Sequence, residues 1–139
     1  MRIGYACLAV ALEGAQLKTC TRKYAAPERL LSLAGENLSA MERMIDYNIT
    51  NGVRMYRISS DLVPFGSSLA SGLHWDEIHR EQLDRIAQKI QSSDMRVSMH
   101  PGQYTVLNSP DSGVIARSID DLSYHARLLD ALHLDETHK

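Results

Sequence analysis

The chain has 139 residues, enough for one domain and no more. Hydrophobic residues make up 44%, charged residues 23%, and the formal net charge is −2, so the bulk composition is ordinary and gives no sign of nucleic-acid binding, although a local basic groove stays possible. No apolar run reaches the roughly 20 residues of a membrane span, Glu13 and two glycines interrupt residues 1–15 where a signal peptide needs a continuous apolar core, and Cys7 and Cys20 are too few for a disulfide framework, so the chain reads as a cytoplasmic protein with free thiols.

Residues 2–8 read as a strand with Ile3, Tyr5 and Cys7 on one face and Gly4 permitting close backbone approach. Pattern alone favours a core role for Tyr5. Residues 13–35 read as a long loop with one helical turn over 28–33, opened by Pro27. A loop of that length in a compact domain is more often functional than idle. Gly35 then introduces a helix over 37–50, where Leu38, Met41, Ile45 and Ile49 recur every three or four residues and Asn51-Gly52 is the stop. A second strand follows at 53–59. Arg57 lies near its end, where a guanidinium can pair with a carboxylate or hold a phosphate, and Ser59-Ser60-Asp61 sit at its mouth. Pro64, Gly66, Ser67 and Ser68 make the next stretch a loop. A helix over 75–91 turns Ile78, Leu83, Ile86 and Ile90 inward, with Asp76 and Glu77 in its first turn, where they suit the helix dipole. His79 reads as packed or half-exposed, and His74 as a weak site candidate.

The most informative stretch is MRVSMHPGQY, residues 95–104. Met95, Val97 and Met99 alternate with Arg96, Ser98 and His100, which argues a strand, and Pro101-Gly102 ends it at once. His100, Gln103 and Tyr104 thus fall at a strand end and on the loop after it, where parallel α/β folds collect ligand and catalytic groups. After a loop over 105–111, a last helix is predicted over 112–132. Its stripe is Ile115, Ile119, Leu122, Ala126 and Leu129, with His125 a structural residue at the edge. The order is strand, loop, helix, strand, helix, strand, helix, which suits parallel crossovers. Three βα units are too few to close a barrel. They form either a small open sheet or the first part of a longer chain, and the polar turn at 134–139 is of the kind that precedes another strand.

The strand ends offer His100, Ser59, Asp61 and Tyr5. One histidine does not make a metal site. No HExxH, Walker loop, GxGxxG or nucleophile elbow is present. Gln103 can hydrogen-bond base edges and Tyr104 can stack on a base, so the pair could wedge into a weakened duplex step. Equally, Tyr104 could pack on the rim of the fold.

With these residues in view, the sequence resembles the UV damage endonuclease family. The resemblance rests on RIGYA at 2–6, YRISSDLVPFGS at 56–67, SMHPGQYTVLNSP at 98–110 and YHARLLDAL at 124–132. It implies a TIM-barrel type (β/α)8 fold of which 1–139 is the N-terminal part, with three βα units present and the C-terminal half of the domain missing. It also implies a hydrolase: a DNA repair endonuclease that nicks the phosphodiester immediately 5′ of cyclobutane dimers and 6-4 photoproducts. The cofactor would be a cluster of divalent metals, manganese favoured, with magnesium, cobalt or zinc as alternatives. By the same resemblance His100 is a metal ligand and catalytic residue, Gln103 and Tyr104 probe the damaged dinucleotide, and Tyr5 is an aromatic at the DNA-facing mouth of the first strand. The implied partner is double-stranded DNA carrying UV lesions, with no membrane. The full-length protein would be a monomer, whereas this part could self-associate through its open sheet edge.

Two departures stand out. After Val-Pro-Phe-Gly-Ser the family pattern has a metal-binding histidine, and this chain has Ser68; a few residues after the first tyrosine it often has asparagine, and this chain has Ala9. Serine is a poor ligand, so one metal position should be weakened or lost. The 139 residues alone are therefore expected to be inactive as a nuclease. The alternatives are a catalytically impaired fragment that binds damaged DNA and a sugar isomerase-like barrel.

Overall fold

A computed structural model describes residues 3–139; residues 1 and 2, where the predicted first strand begins, lie outside the described residues. Three short strands, β1 (Gly4–Ala6), β2 (Met55–Ile58) and β3 (Arg96–Met99), form one parallel sheet in the order β1-β2-β3. Helical crossovers join them: α1 (Pro27–Thr50) between β1 and β2, then α2 (Trp75–Ile78) and α3 (Arg80–Ser92) between β2 and β3, with α4 (Ser112–Ala131) after β3. The register sets Gly4 beside Met55 and Met55 beside Arg96, then Ala6 beside Arg57 and Arg57 beside Ser98.

Burial alternates along the strands, and this defines the architecture. Tyr56, Ile58 and Val97 are buried under the helices with Tyr5 and Met99 packed against them, while Gly4, Ala6, Met55, Arg57, Arg96 and Ser98 are exposed. Successive strand side chains point to opposite faces, so the helices cover one face and leave the other open. All-parallel sheets normally have both faces covered. The Val97 amide points away from β2 and donates to the His138 carbonyl at 2.7 Å, so the predicted polar turn brings the end of the chain against the free edge of β3.

Gly4 has the role predicted for it, since an added Cβ would run into the Met55 backbone carbonyl on the neighbouring strand. Gly4→Ala must therefore force β1 from β2, and a loss of about 2–3 kcal/mol is expected, typical of overpacking against unyielding atoms. Urea unfolding checks this; an unchanged midpoint would mean that β1 adds nothing to the fold.

Three predicted elements differ in the structure. The loop over 13–35 ends earlier, because α1 is one continuous helix from Pro27 to Thr50. Leu30, Leu33, Ala34, Asn37, Leu38, Met41, Met44 and Ile45 form its single buried stripe. Gly35 is interior to that helix, kept for space: an added Cβ would sit 2.7 Å from the His79 ring, and the Gly35 carbonyl accepts from Gln82 Nε2 at 3.3 Å. The packing outweighs glycine's penalty of about 1 kcal/mol in a helix. The predicted helix over 75–91 breaks at His79, whose backbone (φ −103°, ψ 23°) leaves the helical range while its Nε2 meets the Leu31 carbonyl at 2.9 Å. The break turns Ile78 outward, 58% exposed. On α4 the buried face is shifted: Ser118, Tyr124, His125, Leu128 and Ala131 are inside and Ile119 is 51% exposed.

No helix among the described residues is long and apolar enough to cross a membrane.

Candidate functional site

The uncovered sheet face leads to the site. His100 follows β3 directly and shares strand parity with Arg96 and Ser98, and all three are exposed. A shallow concavity of about 210 Å³ on this face is lined by Gly4, Tyr5, Ala6, Met55, Arg57 and Ser98. Arg57, on the central strand, gives it a positive charge beside the open strand ends. Small neighbours at Gly4, Ala6 and Ser98 keep the guanidinium accessible.

Beyond His100 the chain makes a narrow projecting loop. Thr105 N–H donates to the Gly102 carbonyl at 3.0 Å, closing a turn whose two central residues are Gln103 and Tyr104. Both are exposed, Tyr104 at 83%. The reading in which Tyr104 packs on the rim is not what the structure shows, because an aromatic ring left in water has no packing role.

This loop is fixed at both ends. At its start, Ser60 Oγ lies 3.1 Å from the His100 carbonyl and 2.9 Å from His125 Nε2. His125 is 5% exposed, and its Nδ1 lies 2.6 Å from the Asp121 carbonyl, which assigns the ring proton to Nδ1. At its other end, Thr105 Oγ1 donates to Asp121 Oδ2 at 2.6 Å and Val106 N–H to Ser118 Oγ at 2.8 Å. Tyr124 braces the β2 tip: its hydroxyl donates to the Ser60 carbonyl at 2.9 Å and accepts from Val63 N–H at 3.1 Å. Burial pushes the Tyr124 hydroxyl pKa up, the Val63 amide opposes this, and the carboxylates of Asp61 and Asp121 add to the rise, so the phenol stays a donor. Gly66, like Gly4 and Gly35, is set by space, since a Cβ there would enter the Tyr124 ring.

The sequence reading takes His125 as structural, places Ser60 at the mouth of β2 without giving it a role, and passes over Tyr124 and Asp121. The available signal was the spacing of Asp121 and His125, one helical turn apart, and of Ser118 and His125, which share a helix face. Asn37 was also passed over. It is fully buried; its side chain accepts from Lys18 N–H at 2.7 Å and donates to the carbonyls of Lys18 at 2.9 Å and Leu62 at 3.1 Å, tying the loop after β1 to the tip of β2.

Tyr5 is not brought together with His100. It shares strand parity with Tyr56 on the helix-covered face, their ring centroids 5.3 Å apart. Burial raises the Tyr5 hydroxyl pKa, which the nearby Asn48 amide partly offsets, although the two groups do not reach hydrogen-bond geometry. Tyr5 also lines an apolar groove of about 320 Å³ with Leu8, Ala9, Val10 and Tyr47. This is the core placement that pattern alone favours, and the ring is not at the open mouth. Ser68 is exposed in the turns after β2, its Oγ 3.4 Å from the Phe65 carbonyl. His74 is exposed and 3.6 Å from Glu77. Among the described residues no three His, Cys, Asp or Glu side chains come together as a metal site. The donors present therefore do not fit a divalent cluster; His100 stands as one imidazole on an open face.

The family model of the UV-endonuclease UvdE matches residues 1–139. The UV DNA damage endonuclease of Clostridium perfringens is 35% identical over 139 residues, all of this chain and 34% of that protein. The UV-damage endonuclease of Schizosaccharomyces pombe is 33% identical, with 97% of this chain and 24% of that protein covered. The crystal structure of SacUVDE superposes with a TM-score of 0.91 at 34% identity, covering 96% of this chain and 46% of that one. The chain thus spans between a quarter and a half of the length of these relatives, and its open three-stranded sheet is part of a TIM-barrel type α/β fold. A sugar isomerase-like reading has nothing left to support it. Over its whole length, the chain belongs to the UV-endonuclease UvdE family.

Proposed function

We propose that this chain supplies the first three βα units of a DNA repair endonuclease that nicks duplex DNA immediately 5′ of UV photoproducts. The observation that carries the reading is the arrangement at the tip of β3. His100 stands at the end of the uncovered sheet face, Arg57 lies on the same face beside Ser98, two residues before His100, and two exposed residues with the chemistry to probe a duplex, Gln103 and Tyr104, project just beyond. A UV lesion weakens base stacking, so less energy is needed to open the duplex where it lies. Glutamine can then reach base edges and tyrosine can occupy the vacated stack. Arg57 suits the phosphate backbone.

His100 would be one ligand of a divalent metal, manganese first among the candidates. The remaining ligands would have to come from outside these residues, since no group of three donors assembles among those described. The chain alone is accordingly expected to bind lesion-bearing duplex without cutting it. This is the impaired damaged-DNA binder, which Ser68 in place of a histidine also favours.

The test is nicking of UV-irradiated plasmid by the whole gene product with Mn²⁺, alongside binding of irradiated and plain duplex by the 139-residue chain. Metal-dependent nicking confined to irradiated plasmid is the expected result. Equal nicking of both plasmids, or none with metal bound, would end the proposal. In the nicking protein, His100→Ala is expected to lower the rate by at least about 100-fold and to release bound Mn²⁺, because a lost metal ligand costs more than the 10- to 100-fold of a lost supporting group. Unchanged Mn²⁺ content in that variant would remove His100 from the ligand set.

A further inference from the structure

We infer that Ser60 and His125 form a positioning pair that locks the loop bearing His100, Gln103 and Tyr104 to helix α4. The inference rests on the proposed function for its importance to DNA, but not for its geometry. Ser60 Oγ sits between two groups, the His100 carbonyl at 3.1 Å and His125 Nε2 at 2.9 Å. With the ring proton on Nδ1, His125 Nε2 and the His100 carbonyl are both acceptors, so the single hydroxyl proton of Ser60 is shared between them and ties β2 to the end of β3 and to α4.

The His125 ring is held in turn. Its Nδ1 donates to the Asp121 carbonyl at 2.6 Å, with Asp121 Oδ1 at 3.7 Å, and the Tyr124 ring lies edge-on at 5.3 Å between centroids. With Nδ1 occupied and the ring buried, Nε2 can face only Ser60. The backbone at residue 100 is thus tied to a rigid helix rather than to solvent. The far end of the loop is anchored to the same helix through Asp121 and Ser118, so the five residues from His100 to Tyr104 hang between two fixed points on α4.

A structural histidine alone does not explain this arrangement. A residue needed only to fill the core would be apolar, because burying imidazole costs free energy unless both nitrogens are satisfied. Here the second nitrogen is satisfied only through the hydroxyl that also meets the His100 carbonyl. Ser60 and His125 touch neither the open sheet face nor any reacting atom, and act through the placement of their neighbours.

Amide hydrogen exchange on the 139-residue chain tests this. Ser60→Ala removes the bridging atom without a large cavity, and Ser60→Thr restores the hydroxyl. In Ser60→Ala the bonded amides of Thr105 and Val106 are expected to exchange about fivefold faster, the factor corresponding to one net hydrogen bond, while those of Leu38 and Met41 in α1 change by less than about twofold. Ser60→Thr should return the loop to the wild-type rate. Uniform acceleration throughout the chain would show a merely structural role, and no change at Thr105 and Val106 would show that the bridge does not hold the loop. Either result overturns the inference. Binding of irradiated and plain duplex by the same variants separates it from the functional reading. Loop loosening in a chain that never prefers irradiated duplex would sustain the positioning pair and defeat the function.

Discussion

Trp75→Ala is expected to lower the free energy of unfolding by about 4 kcal/mol, the middle of the range for truncating a buried large aromatic. Trp75 is 1% exposed at the start of α2 and is among the largest fully buried side chains. Tyr124 meets it edge-on with centroids 6.4 Å apart, and the Arg127 guanidinium lies over its ring at 4.8 Å. Arg127 is fixed there by Asp76 at 2.6 Å and by the carbonyls of Ser71 and Leu73, both at 2.8 Å. One ring therefore joins α2, the long β2–α2 connection and α4. Alanine would leave a cavity beneath Tyr124, the residue that braces Ser60, so the damage should spread to the β2 tip. A domain of this size has a net stability of about 5–15 kcal/mol, so a loss of 4 takes a large fraction of it. Because Trp75 is the single tryptophan, the variant must be followed by far-UV circular dichroism in urea, with fluorescence available only for the parent. Trp75→Phe is the control. It keeps most of the apolar volume and removes Nε1, which is buried without a partner, so it should cost clearly less than alanine. Equal losses in the two variants would mean that the ring's volume is not what matters.

The elements legible in the sequence were those whose pattern is set by burial alone. The alternation over Met95–His100 identified β3 and separated the helix-facing methionines and valine from Arg96, Ser98 and His100, and the sheet follows that division. The apolar repeat through Leu38, Met41 and Ile45 located the core half of α1 for the same reason. What was not legible depended on residues distant in the chain. Gly35 looked like a helix start because local propensity disfavours it inside a helix; it is tolerated because the His79 ring, 44 positions later, occupies the space a side chain would need. The phase of α4 was misread because apolar residues were assumed to point inward. Ser118 and His125 are inside instead, each paired to the loop after β3 or to the tip of β2, and Ile119 is outside. Of the candidate residues, the placement was legible: His100 follows β3 and Gln103 and Tyr104 lie on the loop after it, as the alternation and Pro101-Gly102 imply. The supporting residues Ser60, Tyr124 and His125 come from different segments, and only the fold assembles them.

Replacing both Gln103 and Tyr104 with alanine is expected to remove most of the preference for irradiated over plain duplex while leaving the fold intact. Both residues are exposed, and substitutions at such positions usually change stability by no more than about 0.5 kcal/mol. A change in DNA binding can therefore be assigned to the lost side chains and not to unfolding. Stacking of one base on an aromatic ring is worth about 1–3 kcal/mol by alanine substitution, or between fivefold and 100-fold in affinity. The loss should fall on irradiated duplex, since an intact stack gives the ring nowhere to enter. Affinity for plain duplex rests on phosphate contacts, to which neither residue contributes a charge, and should change by less than about twofold. Competition between irradiated and plain duplex, measured at two salt concentrations, distinguishes these terms. The salt dependence should be the same in the double variant and the parent, and only the ratio of the two affinities should collapse. A double variant that loses affinity for both duplexes alike would place Gln103 and Tyr104 on the phosphate backbone and not within the base stack. Arg57→Ala gives the reverse pattern for comparison. It should weaken both duplexes together and flatten the salt dependence by about one phosphate contact, because a guanidinium on the open face reads charge and not damage.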